Sequence, residues 1–195
     1  MRLNQPGPIH GSPLELVELT DLEPAPFELT VEVGACAVCR TDLQIIEGDL
    51  EPRRLPVTPG HQVVGTIAAV GSGVQGWSIG DRTGVGWMAG TCGECRFCVS
   101  RRENLCPYAR FTGWDRDGGF ADRLNVRADF AFPLPNGPAD ADLAPLMCGG
   151  VIGYRSLKVS GIRPGGRLGL FGFGSSASLA IQVAAHWGCE VFVFT

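Results

Sequence analysis

The sequence predicts a mixed α/β protein in two parts. An irregular β-rich domain spans residues 1–139, and a boundary helix with the first βαβ unit of a parallel sheet occupies 140–195. Three observations carry this. Four cysteines crowd into residues 92–106, glycine and proline punctuate short apolar or alternating runs up to about residue 138, and the last 30 residues read strand, helix, strand.

The strands of the first part are LTVEV (29–33), QVVGTIAAV (62–70) and ADRLNVRA (121–128), separated by PG, GSG and DGG turn signals. FPLPNGP (132–138) is the expected connection. DADLAPLMCGGVIGYRSLKVSG then reads as a helix, with Asp140 or Asp142 as N-cap and Gly161 as its stop. GRLGLF (166–171) is a short apolar strand and GFGSSASLAIQVAAHWG (172–188) a helix. Ala177, Ala180, Ile181, Ala184 and Ala185 form its helical stripe, and EVFVF (190–194) is the next strand.

Cys92, Cys95, Cys98 and Cys106 are spaced C-x2-C-x2-C-x7-C. Two-residue gaps let neighbouring thiolates turn toward one centre, and four thiolates close a tetrahedral zinc shell, which makes such a site structural. Two disulfides are the alternative reading, but dense disulfides belong to small secreted domains. This chain has 195 residues, 45% of them hydrophobic, and MRLNQPGPIH has neither the charged nor the apolar region of a signal segment. A nucleic-acid-binding zinc ribbon is disfavoured by a net charge of −4. No apolar run is long enough to span a bilayer. The expectation is a reducing cytoplasm, with no nucleic-acid or membrane partner.

The turn entering the C-terminal helix reads Gly172-x-Gly174-x-x-Ala177. Between a strand and a helix, the first glycine permits the tight turn and the second lets backbone approach a pyrophosphate. The small third residue allows helix to meet sheet. The helix N-terminus offers N–H groups to phosphate. The acidic residue that distinguishes a free ribose from its 2′-phosphate would follow about 20 residues on, so NAD and NADP both remain open. Cys39, His61 and Cys148 stand in suggestive contexts, and two thiolates with one imidazole would leave a fourth position open for substrate. Taken singly, a cysteine is more often a small hydrophobe. Cys36 and Cys189 are read as packing residues, His10 and His186 as exposed.

The segments GACAVCRTDL, PGHQVVGTIAAVGSGV, GDRTGVGW, TCGECRFCVSRRENLC, DGGFADR, APLMCGGVIGYRSLK and GLFGFGSSA together resemble the zinc-dependent medium-chain alcohol dehydrogenases over nearly the whole chain. The resemblance implies a GroES-like β-rich catalytic domain carrying two zinc ions, followed by a truncated Rossmann α/β unit. It matches Cys39, His61 and Cys148 to the catalytic zinc ligands and the four-cysteine run to the structural zinc. It further matches Thr41 to the hydroxyl that takes the substrate proton and Asp42 to the carboxylate behind the ligand histidine. Arg40 corresponds to a cofactor-phosphate contact, and Trp87 to an aromatic wall of the alcohol pocket.

The implied reaction moves a hydride between an alcohol, aldehyde or ketone and NAD or NADP, with zinc as Lewis acid. Sugars, polyols and bulky aldehydes would be served by the same chemistry with another pocket. Gln44 stands where the family often has His, and Gln62 where it usually has Glu; neither glutamine can act as a base. The family's Rossmann domain needs about six strands, and the sequence reaches the second. The expectation is therefore an N-terminal fragment with little activity alone, from an enzyme whose full-length form is a homo-oligomer. A non-enzymatic, zinc-stabilised binding module is the reading from a different class.

Overall fold

Period-two patterning around residues 29–33 and 62–70 becomes the centre of a twisted antiparallel sheet. The computed structural model describes residues 1–19 and 22–195. They divide into two units, Met1–Ala144 and Pro145–Thr195.

In the first unit, β1 (Arg2–Leu3) pairs with β2 (Leu14–Glu15). The long β3 (Glu28–Ala37) leads into helix α1 (Arg40–Glu47), followed by β4 (Gln62–Val70), β5 (Arg82–Val85) and β6 (Met88–Gly90). The short helix α2 (Arg96–Val99), β7 (Arg110–Phe111), β8 (Arg123–Arg127), β9 (Ala131–Pro133) and helix α3 (Asp140–Leu143) complete it. The main sheet runs β8-β3-β4-β5-β9, and its neighbouring pairs are antiparallel. Leu29, Val31, Val63, Ile67, Val85, Leu124 and Val126 project into its core. Their alternation along three strands is what closes that core: a polar residue at any of them would face no water.

Cys36 lies on β3 against this core, as expected of a packing residue. Burial raises its thiol to about 12, well above the ordinary 9.0.

Helix α1 is not among the elements expected from the sequence. It begins directly after Cys39, where the Asp42 carboxylate reaches back to accept the Cys39 backbone N–H at 2.8 Å. This belongs to a capping box built on a cysteine where Ser or Thr is usual. Ile45 and Ile46 drive the helix onto Leu3 and Val57 in a second buried cluster.

Residues 140–161 form three pieces where one helix was expected. Helix α3 is followed by a 3-10 turn (Ala144–Met147) and then by helix α4 (Gly149–Ser160), which Gly161 ends. Pro145 and the Gly149-Gly150 pair explain the interruption. Ala139 rather than Asp140 or Asp142 occupies the N-cap. The Asp140 carboxylate is instead bound by the Arg82 guanidinium, with Arg82 Nε donating at 3.0 Å.

Strand β10 (Arg167–Phe171), helix α5 (Ser175–His186) and β11 (Glu190–Phe194) form the βαβ unit, with β10 and β11 parallel and in register from Arg167↔Glu190 to Phe171↔Phe194. Ala180 and Ala184 of the predicted stripe are buried against Leu157 and Leu168, with Val183, Trp187 and Cys189 packed around them. Ala185 is exposed; the real face is rotated toward Val183 and Trp187. His10 and His186 are exposed as expected.

The raised Cys36 thiol has a measurable consequence. The folded state keeps the proton that the unfolded chain releases near 9.0, so stability falls as pH rises from about 9 toward about 12. Denaturation midpoints of the wild type and Cys36→Ala, compared across that range, should show a steeper loss in the wild type. Parallel curves would contradict the assignment.

Candidate metal centres and cofactor turn

The Pro59–Gly60–His61 corner is the most constrained piece of backbone in the first unit. Gly60 has φ +98°, and a Cβ there would lie 2.8 Å from the Phe120 nitrogen and 2.9 Å from the Cys36 sulfur. Only glycine satisfies both conditions. The loop 117–120 is zipped onto this corner: the N–H groups of Gly118, Gly119 and Phe120 donate to the carbonyls of Thr58, Gly60 and Pro59 at 2.7, 2.8 and 3.0 Å. The Asp117 carboxylate accepts the Thr58 N–H at 2.8 Å. The DGGF text of the sequence is thus a brace for His61.

His61 is 1% exposed and Asp42 fully buried. Asp42 Oδ1 lies 2.8 Å from His61 Nδ1 and accepts the Gly60 N–H at 3.2 Å, while Oδ2 takes the Cys39 N–H. One carboxylate therefore organises both Cys39, at the N-cap of α1, and His61, at the entrance to β4. A carboxylate acceptor holds the proton on Nδ1 and leaves the Nε2 lone pair for a metal. Trp87 meets the His61 ring edge-on, centroids 4.9 Å apart. Thr41 is half-buried and Arg40 exposed, both in the first turn of α1. Gln62, 4% exposed, donates from Nε2 to the Ala37 carbonyl at 3.2 Å. A carboxylate at that position could not make this bond, which gives the departure from Glu a local reason. Cys148 stands at the N-cap of α4 in the second unit.

The four-cysteine lobe is a small core of its own. Cys98, Cys106 and Ala109 are buried, with Met88, Cys92, Cys95 and Phe111 packed around them. The ligand atoms lie within 4.8 Å of one another. Sulfur separations are 3.5 Å for Cys95–Cys98, 3.6 Å for Cys92–Cys106 and 3.9 Å for Cys92–Cys98. A tetrahedron with metal–sulfur bonds of about 2.3 Å has edges of about 3.8 Å, whereas a disulfide needs about 2.05 Å. These separations suit a four-thiolate tetrahedral site and are too long for disulfides, and all four cysteines are free. The backbone N–H groups of Glu94 and Cys95 draw the Cys92 thiol down to about 7, favouring the thiolate that a metal requires.

In the second unit, Gly172 turns the chain out of β10 at φ +85°, and Gly174 is the N-cap of α5. A Cβ added at Gly172 or Gly174 would meet no atom within 4 Å. The outer side of the turn is open to a ligand. Ala177 is half-buried in the first turn of α5, whose backbone N–H groups face the helix entrance.

Residues 25–136 match the family described as the alcohol dehydrogenase GroES-like domain. The probable alcohol dehydrogenase AdhA of Mycobacterium tuberculosis (strain CDC 1551 / Oshkosh) is 51% identical over 199 residues, covering 100% of this chain and 58% of that protein. The thermostable alcohol dehydrogenase of Pyrobaculum aerophilum, solved with cobalt and zinc bound, superposes with a TM-score of 0.89 at 26% identity, covering 100% of this chain and 58% of that one. CAD from Helicobacter pylori, complexed with NADP(H), gives 0.82 at 30% identity over 89% of this chain and 52% of its own. The chain spans about half the length of the curated relatives it matches.

Asp42→Asn tests the brace. The amide cannot accept three donors, and one of its hydrogens would face a backbone N–H, so stability should fall by about 2 to 3 kcal/mol in urea denaturation. A loss below about 0.5 kcal/mol would show that Asp42 does not organise the corner.

With a family match over residues 25–136 and relatives and solved neighbours of one kind, the chain belongs to the zinc-type, medium-chain alcohol dehydrogenases.

Proposed function

We propose that the protein to which this sequence belongs is a zinc-dependent oxidoreductase that interconverts alcohols with aldehydes or ketones using NAD or NADP. The observation that carries this reading is the His61–Asp42 contact of 2.8 Å, which leaves the second imidazole nitrogen available beside Cys39. Cys39, His61 and Cys148 would hold the catalytic zinc, and Cys92, Cys95, Cys98 and Cys106 the structural one, two ions per chain. A zinc ion held there would supply Lewis acidity toward the alcohol or carbonyl oxygen, and a bound nicotinamide would supply the hydride chemistry.

The chain's own residues do the rest. Thr41, two residues past the Cys39 cap, takes the alcohol proton through its hydroxyl and hands it outward. Asp42 fixes the His61 ring and increases its basicity as a ligand. Trp87 walls the side of the pocket next to His61. Gln44 replaces an ionisable group with one that cannot titrate, so proton release runs to water or through a cofactor hydroxyl. Gly172, Gly174 and Ala177 receive the pyrophosphate at the open turn, and Arg40 adds a cation for a cofactor phosphate.

The domain division supporting this is a catalytic domain over 1–139 and a nucleotide-binding part from 140. A small-molecule alcohol or aldehyde is the partner, and a homo-oligomer in the cytoplasm is the proposed setting. No helix among the described residues is long and apolar enough to cross a membrane.

Elemental analysis of reduced, freshly purified protein should find two zinc ions per chain. Cys95→Ser should remove one and destabilise the fold, because structural zinc contributes folding free energy directly. A folded, zinc-free wild type would overturn the reading.

Turnover assays divide the site further. Cys39→Ser, His61→Ala and Cys148→Ser in the active enzyme should abolish alcohol oxidation and leave the structural zinc in place. Thr41→Ala should slow turnover by about 100-fold with both metals retained. Full activity in Cys148→Ser would show that the third ligand lies elsewhere.

A further inference from the structure

Where β6 runs into the cysteine lobe, a cavity of about 350 Å³ opens, lined by Thr91, Tyr108, Arg110, Arg116 and Arg127 beside β6 itself. No carboxylate lines it. Cys92 also borders it, but the Cys92 sulfur lies with those of Cys98 and Cys106, at 3.9 and 3.6 Å. Strand pairing brings the three arginines together. Gly90 of β6 stands opposite Arg110 of β7, and a Cβ at Gly90 would lie 3.7 Å from the Arg127 Cδ. Arg116 arrives through its bridge to Thr112, two residues beyond Arg110.

Two of the guanidinium groups are held from outside the cavity. Arg127 Nε and Nη2 donate to the two Asp129 oxygens at 2.9 and 2.5 Å. Arg116 Nη2 donates to the Glu28 carboxylate, and Glu28 is the cross-strand partner of Arg127. Both arginines keep N–H groups that these pairings do not use. Arg110 has no ion pair among the described residues, and the Thr91 and Tyr108 hydroxyls have no hydrogen-bond partner among them. Three guanidinium groups thus meet two carboxylates, and one positive charge is left uncompensated in a chain of net charge −4.

We propose that this cavity binds a phosphate group, carried by free inorganic phosphate or by a small phosphate monoester, with Arg110 as its principal anchor. Planar guanidinium forks match the oxygens of phosphate, and charge-assisted hydrogen bonds of this kind are the strong ones. A carboxylate offers two coplanar oxygens and would occupy one fork; a tetrahedral group can meet forks arriving from β7, β8 and the Arg116 loop together. The two hydroxyls add neutral donors, and the volume exceeds what one tetrahedral oxyanion fills, so a short organic tail has room. Occupation offsets the mutual repulsion of the three cations and links β6, β7 and β8. Neither the metal centres nor the cofactor turn takes part.

Phosphorus NMR titrations and thermal melts of the active enzyme test this. The probes are inorganic phosphate and glycerol 3-phosphate, with chloride at matched ionic strength as the control. Wild type should bind phosphate saturably and melt about 4 °C higher at ten times Kd. Arg110→Gln, at an exposed position, should weaken binding by at least about tenfold. Arg110→Lys, which keeps the charge and loses the fork, should fall between the two. Arg110→Glu, whose carboxylate can pair with Arg116 and Arg127, should melt no lower than wild type without phosphate and lose the phosphate response. Tighter binding of glycerol 3-phosphate than of inorganic phosphate would identify the ester as the ligand, and equal binding the free ion. A response that chloride reproduces, or that Arg110→Gln retains in full, would overturn the proposal and leave the dehydrogenase reading standing. Phosphate that NAD or NADP displaces from wild type and Arg110→Gln alike would belong to the cofactor turn, and would overturn it as well.

Discussion

A single buried carboxylate governs the geometry of the first unit's chemistry. Asp42 takes the Cys39 N–H, the Gly60 N–H and the His61 imidazole N–H with its two oxygens. A fully buried charge is tolerable only when its lone pairs are met by donors. Here the three donors that meet them come from the two segments carrying the thiol and the imidazole. The same bonds that make the charge tolerable also cap α1 and choose the histidine tautomer. Folding and ligand orientation are one event at this residue.

The surrounding structure can be understood as support for that event. Gly60 admits the tight approach of Phe120 and Cys36 to the corner, and the 117–120 backbone closes over it. Ile45 and Ile46 press α1 onto Leu3 and Val57, so the helix that carries Thr41 and Asp42 is fixed by apolar burial and not only by its cap. Phe111, packed on the cysteine lobe, stacks on Trp87, which meets His61 edge-on. The cysteine lobe has a small core of its own, and its sulfur separations lie close to the edges of a four-thiolate tetrahedron.

Gln44 and Gln62 show how a departure from family habit can be local. Gln62 uses its amide N–H to hold the Ala37 carbonyl, tying the end of β3 to the start of β4 across the pair Ala37↔Gln62. The bond does not involve Cys39 or His61. What changes is the charge at these two positions, where a neutral amide stands in place of an ionisable group.

The sequence by itself determined whatever is encoded in short spacings. The C-x2-C-x2-C-x7-C lobe, the glycines of the 172–177 turn, the parallel pair β10 and β11, and the alternating strands β3, β4 and β8 were all legible, because each depends on neighbours within a few residues and on a fixed period. Helix α1 was not legible, since its cap combines a cysteine with Asp42 and its drive comes from Leu3 and Val57, about 40 and 10 residues away by number. The long helix read from 140 to 161 broke at Pro145, and Asp140 left its cap for Arg82, a partner 58 positions distant in the chain. Only the tertiary structure decided that DGGF braces His61 and that Phe111 stacks on Trp87. Those relations join loops remote in sequence, and no period or motif within any one loop records which other loop will lie against it.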